Sequence, residues 1–197
     1  MIREARGGPR PLPVRRFAVA VIGSGTRDVP ALTEPLGRHL AERGVDLVTG
    51  GGAGVMEGVA RAFVAVRPRQ GRSVGILPAD PERSGHPAPG YPNPWIEITI
   101  PTHLTSRGDA GDGPESRNHV VVLTGDVVVA LPGGAGTASE LRLARKYGRP
   151  VILLGWSGDD GPVQTSGTPH DVSAPSWPAT MDPRDISGLL DAMLADD

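Results

Sequence analysis

Residues 126–141 read DVVVALPGGAGTASEL, and the fold is decided there. The run DVVVALP is continuously apolar rather than alternating, which is how a strand covered on both faces reads. It gives way to glycines, and GTASELRLARKYG, from Gly136, has helical spacing and ends on a glycine suited to a helix C-cap. Strand, glycine loop and helix in that order make the repeating unit of a parallel sheet. Glycine lets the backbone approach a phosphate closely, and a helix start offers unpaired N–H groups and partial positive charge. The stretch therefore predicts a cradle for something small and negatively charged.

The same order recurs upstream. FAVAVIG (17–23) runs into GSGT (23–26), with a helical pattern from Ala31. VDLVTG (45–50) runs into GGGAGVMEG (50–58), with a helix from Gly54. SVGILP (73–78) and PVILLG (150–155) are further strands, NPWIEITI (93–100) reads as another, and SRNHVVVLTG from Ser116 is ambiguous by periodicity between strand and helix. Such alternation predicts an α/β fold: one Rossmann-like domain over residues 17–197, with a doubly wound, mainly parallel sheet between two helical layers. The loops after three strands then converge on the carboxyl edge, where open sheets of this kind bind ligands.

With Gly 28 and Pro 21, these two residues fill a quarter of the chain. They crowd into 1–14, 78–94 and 155–183. That reads as a flexible N-terminal arm over residues 1–16 and long loops, including a linker at 157–182. DPRDISGLLDAMLADD should close the fold as an amphipathic helix, with Pro183 in its first turn and Ile186, Leu189, Leu190 and Met193 on one face. Residues 101–116 should form a loop over the site, with Thr102, His103 and Arg107 as candidate contacts.

At 197 residues the chain has room for one core. A net charge of −2 disfavours nucleic acid and anionic lipid as partners and leaves small solutes. The absence of cysteine excludes disulfides and thiolate chemistry and fits a cytoplasmic setting. His39, His86, His103, His119 and His170 are scattered, so no metal site is expected. RRFAVAVIGSG, from Arg15, imitates a twin-arginine export signal, yet its apolar run stops early at a glycine turn and reads as a first strand.

Each glycine loop contains G-x-G, but the third glycine of the dinucleotide fingerprint is replaced by Asp28, Glu57 and Ser139, so standard NAD binding is not supported. Lys146 is the sole lysine and does not follow a glycine, which excludes a P-loop; beside Arg145 near a helix end it reads as a solvated cation, not a Schiff-base lysine.

Taken together, GGGAGVMEGVARA (50–62), ESRN (115–118) and PGGAGTASE (132–140) resemble the LONELY GUY group of nucleotide-binding Rossmann-like proteins, over roughly residues 17–155. The members of that group that are enzymes cleave nucleoside 5′-monophosphates into free base and ribose 5-phosphate. The resemblance implies Glu140 and Arg117 as the catalytic pair, and Gly133, Gly134, Gly136, Thr137, Gly51, Gly52, Gly54, Gly23 and Ser24 as contacts to phosphate and nucleotide. It implies no cofactor, and a homodimer or higher homo-oligomer. Where those enzymes show M-x-E-R-K around the arginine, this chain has Glu115, Ser116, Arg117 and Asn118. That is closer to a sister branch that includes a molybdenum cofactor carrier protein.

Two functions follow as expectations. As a phosphoribohydrolase, the protein would use Glu140 to stabilise the ribose cation or orient water, and Arg117 to offset charge on the phosphate or leaving base. As a carrier, it would bind a nucleotide or pterin cofactor in the same cradle without chemistry. Simpler readings stand beside these: Thr137 and Glu140 as a capping box, Met56 as core, Glu57 as a first-turn helix charge, Ser24 as a turn hydroxyl.

Overall fold

A computed structural model describes residues 15–156 and 177–194. The N-terminal arm up to residue 14 and most of the linker, 157–176, lie outside the described residues.

Among the described residues seven strands form one sheet: β1 (Ala18–Ile22), β2 (Asp46–Thr49), β3 (Ser73–Leu77), β4 (Ile98–Pro101), β5 (Val127–Ala130), β6 (Val151–Leu154) and β7 (Ala179–Thr180). All neighbours are parallel, in the order β4-β3-β2-β1-β5-β6-β7. Helices α1 (Pro30–Glu42), α2 (Val55–Ala65), α3 (Asn118–Thr124), α4 (Ala135–Lys146) and α5 (Ile186–Leu194) complete the domain.

The valine strand shows why these runs are apolar throughout. Val127 and Val129 pack into the core shared with α1, α2 and α5, while Val128 and Ala130 face the core shared with α3 and α4. The α1–α2 contact requires Gly37, because a Cβ there would lie 2.9 Å from the Phe63 nitrogen and 2.8 Å from the Ala62 methyl. Gly44 and Gly148, at φ +73° and +62°, follow α1 and α4 in the left-handed conformation that ends helices.

Three elements depart from or refine the reading of the sequence. Strand β4 begins at Ile98 instead of Asn93, because Asn93 is tied to the turn after β2 by its backbone N–H, 2.8 Å from the Gly51 carbonyl. The ambiguous segment after Ser116 is a helix: the Asn118 N–H donates to the Ser116 hydroxyl (3.2 Å), and Val121 and Val122 are buried against the sheet. The linker reading of 157–182 missed β7, whose Ala179 and Thr180 extend the sheet beside Leu153 and Leu154.

From β1 the chain winds outward through β2, β3 and β4, then returns to place β5 on the other side of β1. The two directions part between β1 and β5. At such a switch point the loops leave the sheet on opposite sides and open a crevice at the carboxyl edge.

Candidate functional site

The crevice holds a cavity of about 380 Å³, within the range of small-ligand sites. Three turns build its rim. Ser24, just past β1, joins them: its backbone N–H donates to the Pro132 carbonyl after β5 (3.3 Å), and its carbonyl accepts the Val55 N–H that starts α2 (2.9 Å). The hydroxyl of Ser24 accepts from the backbone of Thr26 and Arg27 at 3.3 and 3.0 Å, so it shapes the turn, as the simpler reading expected. So close an approach needs glycines. A Cβ at Gly133 would sit 2.8 Å from the Ser24 nitrogen, and one at Gly54, which has φ +65°, would overlap the Ser24 carbonyl.

Not every expected contact residue faces the cavity. Gly23, Ser24, Gly134, Gly136, Thr137, Arg117 and Glu140 line it, together with Met56, which is also largely buried. Gly133, Gly51, Gly52 and Gly54 do not; they lie behind the wall. A side chain at Gly50 would collide with the Arg117 guanidinium, one at Gly51 with Leu77, and one at Gly52 would come within 3.0 Å of Met56 and the Tyr91 ring. The turn after β2 is thus a seat for the side chains that form the wall.

The turn after β5 behaves differently. Gly134 is the N-cap of α4, so Thr137 and Glu140 lie inside the helix, three residues apart on one side. The capping box is therefore corrected: the helix starts too early for Thr137 to cap it, and no side chain caps α4. The Thr137 hydroxyl is buried without a hydrogen-bond partner among the described residues.

Glu140 and Arg117 are 8% and 4% exposed, and both line the cavity. Among the described residues they do not pair directly, and the Arg117 Nε and Nη1 are buried without acceptors. Burial pushes the Glu140 carboxyl up to about 7, against the opposing pull of the Arg117 charge. The floor therefore carries a carboxyl that titrates near neutrality beside a fixed cation with unused donors. Asn118 braces both helix starts, its amide 3.3 Å from the Ser139 hydroxyl, which donates in turn to the Gly136 carbonyl (2.7 Å).

Tyr91, Arg107, Gly108, Asn118, Gly25 and Thr26 also line the cavity. Of these only Arg107 stood among the sequence candidates; Thr102 instead bonds the Leu77 carbonyl (2.8 Å) and His103 does not line the cavity. Among the described residues no group of His, Asp or Glu is disposed to hold a metal ion.

This geometry can be set against known proteins. The model of the SLOG cluster4 family matches residues 16–175. This chain belongs to that family. An uncharacterized protein of Archaeoglobus fulgidus is 30% identical over 143 residues, covering 72% of this chain and 82% of its own. Among solved structures, the molybdenum cofactor binding protein of Rippkaea orientalis superposes with a TM-score of 0.67 at 26% identity, covering 92% of this chain and 99% of that one. The molybdenum cofactor carrier protein of Chlamydomonas reinhardtii gives 0.68 at 27% identity, over 93% and 100% of the two chains. The LONELY GUY-like resemblance, and its carrier branch in particular, is thereby borne out, as is the doubly wound parallel fold. No helix among the described residues is long and apolar enough to cross a membrane.

Proposed function

We propose that this SLOG cluster4 protein binds a small phosphorylated ligand in the crevice between β1 and β5, as a nucleotide or molybdenum-cofactor (pterin) carrier. One observation carries the reading: a buried arginine in the cavity has two N–H-bearing nitrogens with no partner among the described residues. An unsatisfied buried donor is costly, and an anionic oxygen would relieve that cost. The phosphate would rest on the first turn of α4, against Gly134, Gly136 and Thr137, where the N–H groups lack intrahelical acceptors. Gly23 and Ser24 would close the other side. Gly133, Gly51, Gly52 and Gly54 would serve by holding the rim together. Similarity to two proteins named for molybdenum cofactor binding supports the cargo class.

A second reading, hydrolysis of nucleoside 5′-monophosphates, is favoured by Glu140. A carboxyl shifted to about 7 at the floor of a cavity suits proton transfer or cation stabilisation at a glycosidic bond. One purification tests both readings. A pterin or nucleotide that co-purifies in stoichiometric amount, identified by absorbance and mass spectrometry, supports the carrier. Release of ribose 5-phosphate from AMP or CMP, abolished in Glu140→Gln with binding kept, supports the hydrolase. Arg117→Ala should weaken the bound anion by about 30-fold or more in either case, measured by calorimetry. The homodimer expected from the resemblance has its support in Trp95, Ile98 and Ile100, exposed apolar residues at the β4 edge; light scattering checks it. A cytoplasmic location belongs to the same reading.

A further inference from the structure

Tyr91 belongs neither to the glycine turns nor to the phosphate seat just proposed, yet its ring forms part of the cavity wall. It sits in the long, proline-rich connection between β3 and β4, where nothing in the local sequence would hold an aromatic ring toward the site. The tertiary structure does. Two residues on, buried Asn93 donates its backbone N–H to the Gly51 carbonyl and its Nδ2 to the Gly52 carbonyl, both at 2.8 Å, and its Oδ1 accepts the Trp95 N–H at 3.0 Å. The ring itself rests on Gly52, where a Cβ would come within 3.0 Å of a ring carbon. An aromatic side chain has thus been fastened to the wall from two directions, with Met56 beside it.

Two guanidinium groups lie over this ring, Arg107 at 5.5 Å and Arg117 at 5.9 Å from its centroid. Their circumstances differ. Arg117 is buried and backed by Gly50, whereas Arg107 is exposed and makes no hydrogen bond or ion pair among the described residues. Among the described residues its guanidinium has a ring contact with Tyr91. The aromatic surface that attracts a guanidinium also attracts a flat, polarisable heterocycle, as bases stack on aromatic side chains in nucleic-acid sites.

We infer that Tyr91 is the platform on which a planar heteroaromatic ring of the ligand, a nucleobase or a pterin, stacks, and that Arg107 keeps that place in the ligand-free protein. This rests on the reading above, in which the ligand's phosphate occupies the first turn of α4. On binding, the ring replaces one exposed cation–aromatic contact, and Arg107 is released toward the ligand's charge at the mouth of the cavity. Sugar phosphates without a heteroaromatic ring use the anion seat alone.

Calorimetry with AMP, GMP, neopterin monophosphate and ribose 5-phosphate tests this on the full chain. The wild type should bind at least one of the three ring-bearing compounds more tightly than ribose 5-phosphate. Tyr91→Ala should weaken that compound by about ten-fold and leave ribose 5-phosphate within about two-fold, while Tyr91→Phe keeps both. Tyr91→Leu, which fills the space without an aromatic face, should reproduce the selective loss and guards against a fold defect in the alanine variant. The ring compound whose affinity falls most identifies base or pterin. Equal loss for ribose 5-phosphate would make Tyr91 a mere prop for Arg117, and no loss would remove its role; either overturns the inference while the anion seat stands. If none of the four compounds binds the wild type, the anion seat fails as well, and the platform with it.

Discussion

The turn after β2 and the turn after β5 carry nearly the same letters, GGGAGVMEG and PGGAGTASE, and do opposite work. The second packs Gly133 on the Ser24 turn and then opens onto the cavity: where a side chain would begin at Gly134 nothing among the described residues beyond its own stretch of chain lies within 4 Å, and Thr137 and Glu140, in the helix that follows, line the cavity. The first is closed. Its glycines are packed against Arg117, Leu77, Tyr91 and the Ser24 turn, so their missing side chains make room for protein instead of ligand. Glycine in a nucleotide-like pattern therefore has two meanings, ligand approach and side-chain seating. They are distinguished by what stands on the other side of the backbone.

Substitutions can break or sharpen this contrast. The largest effect is expected from Gly54→Ala, which combines a left-handed φ with overlap of the Ser24 carbonyl. It should cost about 3–4 kcal/mol, seen as a fall in Tm of roughly 10 °C. Glu140→Gln probes the open turn. The native carboxyl has its pKa raised to about 7 from 4.5, so folding favours its protonated form, and the native state loses stability as pH rises from about 4.5 through about 7. The glutamine variant should accordingly be more stable than wild type at pH 8, by about 3 kcal/mol at most, with the gain gone below about pH 4.5 in denaturant titrations. A flat difference across pH would contradict this placement of Glu140. Gly52→Ala comes next, since the nearest atoms a Cβ there would meet, at 3.0 Å, belong to side chains and not to backbone: about 1–2 kcal/mol of stability in a urea titration. Gly134→Ala should be nearly silent, costing about 0.5 kcal/mol as a weaker helix cap. A Gly134 variant as damaging as Gly54→Ala would erase the distinction between the turns.

What was legible in the sequence follows the same division. Strands buried on two faces announce themselves as unbroken valine and isoleucine runs, and Gly44 and Gly148 mark helix ends, because these are local requirements of backbone and burial. Glu140 and Arg117 were reached only through the spacing shared with a known group. Tyr91 and Asn93 gave no signal, since a proline-rich loop has no period and its placement depends on bonds to a turn some forty residues earlier. The two-residue β7 escaped for a related reason: only pairing with Leu153 and Leu154 makes it a strand. Thr137 and Glu140 imitated a capping box because the motif does not say where the helix begins.

Ser24 spends its amide on one half of the sheet and its carbonyl on the helix of the other. A breathing motion that widened the crevice would have to rupture one of these two bonds, within a rim where Gly54 and Gly133 leave no room for a Cβ. Were a ligand to enter the cavity, its passage would be governed by the exposed side chains at the opening, Arg107 among them, more than by separation of the backbone turns. Exchange rates for the ligand should respond to changes in that fringe and not to the stability of the domain as a whole.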